Sequence, residues 1–310
     1  MIYTVTLNPS VDVLLEVKNL NIGNRNHVSN EFTLPGGKAL NVSRVLSQLK
    51  IPTIATGFIG GHQGEFIKDW LDTENIMTDF VNIEEESRTN IKLLIKNEET
   101  TINSKGPNIS HYEVDELLYY LSRVGEGDTI VMGGSVPPME EKSDEDIYSR
   151  MVAIAKANGS QFIADIPAKY LPDVIEEGPI LVKPNIEDLM EIFGTKIETI
   201  EDMDKYGKRI IEMGAKNAIV SYGKKGSMFF SQDGHSYISE EIHVNEVVNS
   251  VACRDSMISG FIGTLVRTSD TLEAYKLAVA AATATAEVLD LPTREEIEKT
   301  IPKVVINQFS

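Results

Sequence analysis

The sequence predicts an α/β fold: a ribbon of strands forming a mostly parallel central sheet flanked by helices, with a small β-sheet lid set apart from it. Three observations carry this reading. Apolar, β-rich runs alternate with amphipathic stretches along most of the 310 residues, the pattern of βαβ units around a buried sheet. Two excursions, at about 11–34 and 88–104, are extended and carry no helical period. No stretch rich in Pro, Gly or Ser divides the chain and no repeat is visible, so 1–310 reads as one domain with the lid strands inserted into it.

Taken in order, residues 2–7 form a first strand, and 11–17 and 27–34 follow as antiparallel lid strands. Residues 38–50 place Val42, Val45, Leu46 and Leu49 on one stripe of a helix. A strand at 53–58 and a helix at 65–71 come next. Residues 90–96 and 100–103 flank the polar KNEET turn and complete the lid. Strands at 129–132, 161–165, 180–183 and 218–221 then alternate with helices at 144–157, 186–193, 202–213, 255–266 and 272–289. The last helix contains AVAAATATAEVL, whose small side chains permit close packing.

Composition removes several functions. With 29 basic and 47 acidic residues the net charge is −18, so neither nucleic acid nor an anionic membrane is a whole-surface partner. An anionic small molecule remains open, provided a local basic pocket receives it. Mean hydropathy is −0.13, and no run approaches the ~20 apolar residues of a membrane helix. The opening MIYTVTLNPS lacks the features of a signal peptide. Cys253 is the only cysteine, which excludes an intrachain disulfide framework and fits a reducing, cytoplasmic setting. The five histidines show no metal-binding spacing, and no G-x-S-x-G elbow is present.

Six segments carry chemistry. In LPGGKALNV, Gly36 and Gly37 precede a helix whose first turn bears Lys38 and Asn41, which suits an anion or equally an ordinary strand-to-helix turn. It is no Walker A loop, because Phe32 and Ala39 stand where Gly and Ser or Thr belong. NPSVD puts Asp12 just beyond the first strand, where it can accept sugar hydroxyls or cap a turn. Arg88, Asn90 and Lys92 share one face of a strand, a face for a phosphate or for solvent. In KPNIED, Asn185 with Glu187 and Asp188 offers hard oxygens for magnesium, through water, or a helix cap. SYGKKG is a hairpin turn or a nucleotide-contacting loop. In NSVACRDSMISGF, a polar loop enters an apolar helix and places Asp255 in its first turn, where a general base could sit.

Together and in this order, TLNPSVD, PGGKALNVSRVL, RTNIK, GSVPP, KPN and DSMISGF resemble the ribokinase-like (PfkB) carbohydrate kinases over essentially the whole chain. The likeness is strongest to the branch of 1-phosphofructokinases and tagatose-6-phosphate kinases. That resemblance implies a sheet of nine or so strands, a β lid used for homodimerisation, ATP as phosphoryl donor and magnesium. It implies phosphorylation of a ketohexose phosphate, first fructose 1-phosphate to fructose 1,6-bisphosphate and second tagatose 6-phosphate. Carried over, Asp12, Gly36, Gly37, Lys38 and Asn41 would hold the sugar, and Arg88, Asn90 and Lys92 its phosphate. Lys183, Asn185, Ser221, Gly223 and Gly226 would line the ATP site with Ala252, Cys253 and Arg254. Asp255 would be the base, as phosphoryl transfer requires an oriented nucleophile. The chain departs from the family pattern ahead of that base, where Gly-Ala-Gly becomes Ala252-Cys253-Arg254; Ala39 replaces a glycine and Asp188 a glutamate. The first change implies reduced activity, or a catalytically weak paralogue that binds sugar phosphate and nucleotide. Arg254 would then bind phosphate itself, pair with Asp255, or point to solvent.

Overall fold

The structure, a computed structural model, describes residues 1–95, 98–244 and 247–310. The first part of the chain forms β1 (Ile2–Thr6), β2 (Ser10–Glu16), β3 (Asn30–Gly36), α1 (Lys38–Gln48), β4 (Thr53–Ile59), α2 (Gly61–Thr73), β5 (Met77–Thr78) and β6 (Val81–Asn82). Next come β7 (Arg88–Ile95), β8 (Glu98–Ile102), α3 (His111–Leu121), β9 (Thr129–Gly133), α4 (Ile147–Ala157), β10 (Gln161–Asp165), α5 (Leu171–Glu176) and β11 (Leu181–Val182). The remainder is α6 (Ile186–Phe193), α7 (Ile200–Met213), β12 (Asn217–Ser221), β13 (Ser227–Ser231), β14 (Ser236–Ser239), α8 (Cys253–Thr268), α9 (Thr271–Ala286), α10 (Arg294–Thr300) and β15 (Ile306–Gln308).

Among the described residues eleven strands make the large sheet, in the order β15-β14-β13-β12-β11-β10-β9-β1-β4-β5 with β6 also on β4. Pairing is parallel from β12 to β5 and antiparallel from β12 to β15. Buried side chains of α3, α4, α5 and α7 cover one face, and those of α1, α8, α9 and α10 cover the other. That double cover explains why the strands read as unbroken apolar runs. The small residues of α9 have a packing reason: a Cβ on Gly260 of α8 would lie 2.5 Å from the Leu277 carbonyl oxygen.

The second sheet has the order β3-β2-β7-β8. Its centre corrects the antiparallel reading: β2 and β7 run parallel, with Ser10 opposite Arg88 and Asp12 opposite Asn90. Both strands leave the body from the C-terminal ends of strands in the parallel large sheet, so they set out in the same direction. Lys96 and Asn97, in the expected strand end and KNEET turn, lie outside the described residues. Helix α8 starts at Cys253, two residues earlier than its apolar period indicates, and Ala252 ahead of it has φ −71° and ψ −12°. No left-handed backbone is needed there, so loss of glycine costs no dihedral strain.

Gly57 fixes the junction of β1 and β4. Its φ is +133°, and a Cβ would lie 1.9 Å from the Thr6 carbonyl oxygen. We expect Gly57→Ala to cost about 3 kcal/mol or more, through strain and backbone displacement. A urea midpoint within error of the parent's would refute this.

Candidate active site

Chemistry-bearing side chains collect where parallel strands end, the edge of an open α/β sheet at which ligands bind. Asp165 closes β10, Lys183 follows β11 and Ser221 closes β12. Facing them are Lys38 and Asn41 in the first turn of α1 and Asp255 in the first turn of α8.

The centre is a buried charge cluster. Lys38 Nζ donates to Asp165 Oδ1 at 3.0 Å, and Arg254 Nη2 lies 4.0 Å from the same oxygen. Lys183 is buried, and among the described residues its Nζ has no hydrogen-bond partner, nor has Asp165 Oδ2. Burial alone would raise the Asp165 carboxyl, but Lys38, Lys183 and Arg254 outweigh it and hold it down to about 2. Burial pulls the Lys183 ammonium down to about 8. Asp255 Oδ2 accepts from Asn41 Nδ2 at 2.8 Å. Burial first, then repulsion from Asp165, pushes the Asp255 carboxyl up to about 7. A carboxyl titrating near neutrality can take a proton in one step and give it up in the next.

On one side lies a narrow cleft of about 30 Å³, room for little more than water, lined by Asp12, Asn41, Lys92, Glu99, Asn249 and Ala252 among others. Asp12 anchors it. Lys92 Nζ is 3.0 Å from Asp12 Oδ2, while Ser10 Oγ and Asn90 Nδ2 donate to Oδ1 at 2.6 and 3.0 Å. Gly36 is required because a Cβ there would meet the Asp12 carboxylate at 2.6 Å. Arg88 turns its guanidinium to the backbone, Nε to Asn8 O at 3.1 Å and Nη1 to Ser104 O at 3.0 Å, which ties β7 to the loop after β1.

On the other side is a cavity of about 710 Å³. Asn185, Glu187, Ser221, Gly223, Gly226, Cys253 and Arg254 stand on its polar rim, and Val247, Met257, Val279, Ala282 and Ala286 form an apolar wall. It has the size and two-faced lining of a site for a nucleotide. The unpartnered nitrogens of Lys183 and Arg254 are donors that an anion would satisfy, so these residues fit a polyphosphate.

Several expected residues fall elsewhere. Lys183 is buried beside the cavity and is not on its wall, and Ala252 lines the narrow cleft. Asp188 caps α6: its Oδ2 accepts the Asn185 N–H at 2.8 Å while its own N–H donates to Asn185 Oδ1 at 2.6 Å. The same Oδ2 receives Arg254 Nη2 at 3.4 Å. Glu187 and Asp188 fit magnesium only through the oxygens left over, Glu187 standing on the rim of the cavity. Arg254 turns away from Asp255 toward Asp188 and Asp165. The Cys253 Sγ–H donates to Asn249 O at 2.9 Å, and burial pushes its thiol up to about 12.

The sequence reading missed Asp165, Glu99, Asn249 and Ser10. Asp165 had a signal, an acid at the C-terminal end of a buried strand. Glu99 enters the cleft from the small sheet with Oε1 buried and unpartnered. His111, Glu141 and Asp144 also bring donor atoms within 4.8 Å of one another. Arg150 Nη1 already holds Asp144 Oδ1 at 2.6 Å, so that cluster is an ion-pair network.

A family model described as pfkB family carbohydrate kinase matches residues 7–292. The chain is 35% identical to the 1-phosphofructokinase of Bacillus subtilis over 309 residues, all of both chains. It is 34% identical to the tagatose-6-phosphate kinase of Staphylococcus epidermidis over 282 residues, 90% of this chain and 89% of the relative. Among solved structures, phosphofructokinase-2 from Escherichia coli superposes with a TM-score of 0.91 at 23% identity, covering 97% of this chain and 98% of that one. This last likeness speaks for the ribokinase-like fold alone.

Asp255 should cost stability. Its carboxyl titrates near 7 in the fold against an ordinary 3.8, so between those values the native state keeps a proton that the unfolded chain releases. Stability contributed by this group therefore falls as pH rises from about 4 to about 7. Asp255→Asn removes that loss. Its Tm should exceed the parent's at pH 8, with the gain shrinking toward pH 4; an equal or lower Tm at pH 8 would contradict the burial argument.

Proposed function

The chain belongs to the pfkB family of carbohydrate kinases, and on that premise we propose that it transfers the γ-phosphoryl group of ATP to fructose 1-phosphate, giving fructose 1,6-bisphosphate. The observation that carries this reading is Asp255. It is buried, titrates near neutrality, and stands between the cleft, through Asn41, and the large cavity, through its neighbour Arg254.

In this reading the sugar occupies the cleft. Asp12 accepts its hydroxyls, Gly36 and Gly37 let it approach the backbone, and Lys38 and Asn41 orient it. Lys92 receives its phosphate, exchanging Asp12 for the anion, and Arg88 and Asn90 join it on giving up their bonds to Asn8, Ser104, Ser10 and Asp12. At about 30 Å³ the cleft is far too small for a hexose phosphate, so the small sheet opens as a lid to admit it. The adenine lies on the wall of Val279, Ala282 and Ala286, and the phosphates point past Ser221, Gly223 and Gly226 toward Lys183. Magnesium, held through water by Glu187 and Asp188, would neutralise phosphate charge. Asp255 takes the proton of the attacking hydroxyl, which the Asn41 bond keeps aimed. The Ala252-Cys253-Arg254 turn keeps this base, so turnover is expected, slower than with an unobstructed turn.

Tagatose 6-phosphate is the second reading, favoured by the near-equal identity to the relative that bears that name. Both substrates are ketohexose phosphates, and a cytoplasmic setting suits either. We further propose a homodimer through the lid. Ile91 is paired with Val13 and Ile102, and Leu93 with Leu15, on the face of the small sheet opposite Asn90 and Lys92. Ile91 and Ile102 are exposed there, an apolar patch that a second copy would cover.

A coupled ADP-release assay over fructose 1-phosphate, fructose 6-phosphate, tagatose 1-phosphate and tagatose 6-phosphate tests the substrate. We expect the highest kcat/KM with fructose 1-phosphate, and Lys92→Ala should raise that KM roughly tenfold or more at unchanged KM for ATP. Turnover of none of the four, with ATP still bound, would leave only a binding protein. For the dimer, sedimentation should show Ile102→Glu as a monomer; an unaltered dimer would move the interface elsewhere.

A further inference from the structure

Arg254 lines the large cavity from the first turn of α8, and little is built to hold it there. Its Nε is buried without a hydrogen-bond partner among the described residues. Its Nη2 reaches Asp188 Oδ2 at 3.4 Å and Asp165 Oδ1 at 4.0 Å. Charge-assisted bonds normally close to about 2.7–2.9 Å, so both contacts are loose. Asp255, its neighbour, is bonded to Asn41 instead.

Three backbone donors of the same turn are already engaged. The N–H of Ala252 donates to Asn249 Oδ1 at 3.1 Å. Those of Arg254 and Asp255 donate to Val251 O at 3.4 Å and Ala252 O at 3.1 Å. The Arg254 guanidinium stands on the cavity rim with a donor to spare. A guanidinium with one free edge is shaped for two oxygens of one phosphate.

We propose that Arg254 is a catalytic residue that leaves Asp188 to bind the terminal phosphoryl group of the nucleoside triphosphate, adding its guanidinium to what the amides of its own turn supply. The inference rests on the kinase reading above. During transfer the acceptor oxygen bonds to the γ-phosphorus as the bond to the β,γ-bridging oxygen breaks. ADP leaves with that electron pair, the hydroxyl proton goes to Asp255, and Arg254 keeps its protons while it neutralises the oxygens in flight. Asp188 remains the cap of α6 through the Asn185 N–H.

The test uses the full chain with Arg254→Ala and Arg254→Lys, and compares ATP with ADP by calorimetry beside the sugar-phosphate assay. A contact confined to the terminal phosphate should weaken ATP about tenfold or more in Arg254→Ala and ADP by less than about twofold. Arg254→Lys should fall between. The kcat of Arg254→Ala should drop about a hundredfold and recover in part with added guanidinium ion. Near-ultraviolet circular dichroism checks that each variant folds, and Arg254→Lys, with charge and length kept, serves if Arg254→Ala does not. Equal losses for ATP and ADP, or no loss, overturn the proposal while sugar-phosphate turnover by the parent leaves the kinase reading standing. If the parent turns over no sugar phosphate, the ATP to ADP ratio still decides on Arg254; a parent that binds neither nucleotide overturns both.

Discussion

Asp165 is the charge on which this pole of the molecule depends. It is buried, and Lys38, Lys183 and Arg254 all act on it. Remove it and three cations face one another in a region of low dielectric, where like charges repel strongly. Its own negative charge adds to burial in raising Asp255. One carboxylate thus holds the cations in place and lifts the neighbouring acid toward neutrality. No pair in the cluster is worth much as a stabilising bridge, because burial of charge offsets the attraction. Its value lies in what it does to Asp255 and in the donors it leaves open.

Unpaired donors and acceptors gather at this site. Buried polar atoms in folded proteins are nearly always paired. Among the described residues Lys183 Nζ, Arg254 Nε, Asp165 Oδ2 and Glu99 Oε1 are not, and each lies in or beside the two cavities. The molecule keeps unmet hydrogen-bonding capacity at the place where a polyanion and a polyhydroxylated molecule would supply the missing partners. On the small sheet the opposite holds: Asp12 is fully engaged by Ser10, Asn90 and Lys92, so its contacts have to be traded and not merely completed.

Local periodicity made much of the fold legible. The stripe of Val42, Val45, Leu46 and Leu49 marks α1 because α1 packs on α8 and the large sheet, which bury those residues. Helix α3 lies outside the sequence reading although both of its signals are present: Ser110 and Glu113 form a complete capping box, and Val114, Leu117, Leu118 and Leu121 keep an unbroken helical stripe. The hairpin of β13 and β14 was likewise passed over despite Asp233-Gly234 at its turn. The parallel pairing of β2 with β7 could not be read, because strand direction between distant segments is set by where they leave the body. For the site, Asp12, Asn41, Lys92 and Asp255 sit at motif positions that one sequence can reveal. The pairing of Lys38 with Asp165, and of Arg254 with Asp188, joins segments far apart and depends on side-chain reach.

The order of these segments along the chain bears on biosynthesis. All four strands of the small sheet, with Asp12, Asn90 and Lys92, precede residue 105, whereas α8 and α9 follow residue 250. During translation the acceptor half can take shape early, while Val42, Val45 and Leu46 of α1 wait for Ile258, Phe261 and Ile262 to cover them. Until α8, α9 and α10 emerge, α1 is the one helix on that face of the central sheet. A nascent chain of this topology therefore spends most of its synthesis with apolar surface open to chaperones or to other chains, and the buried carboxylate that will act on a hydroxyl is among the last groups to arrive.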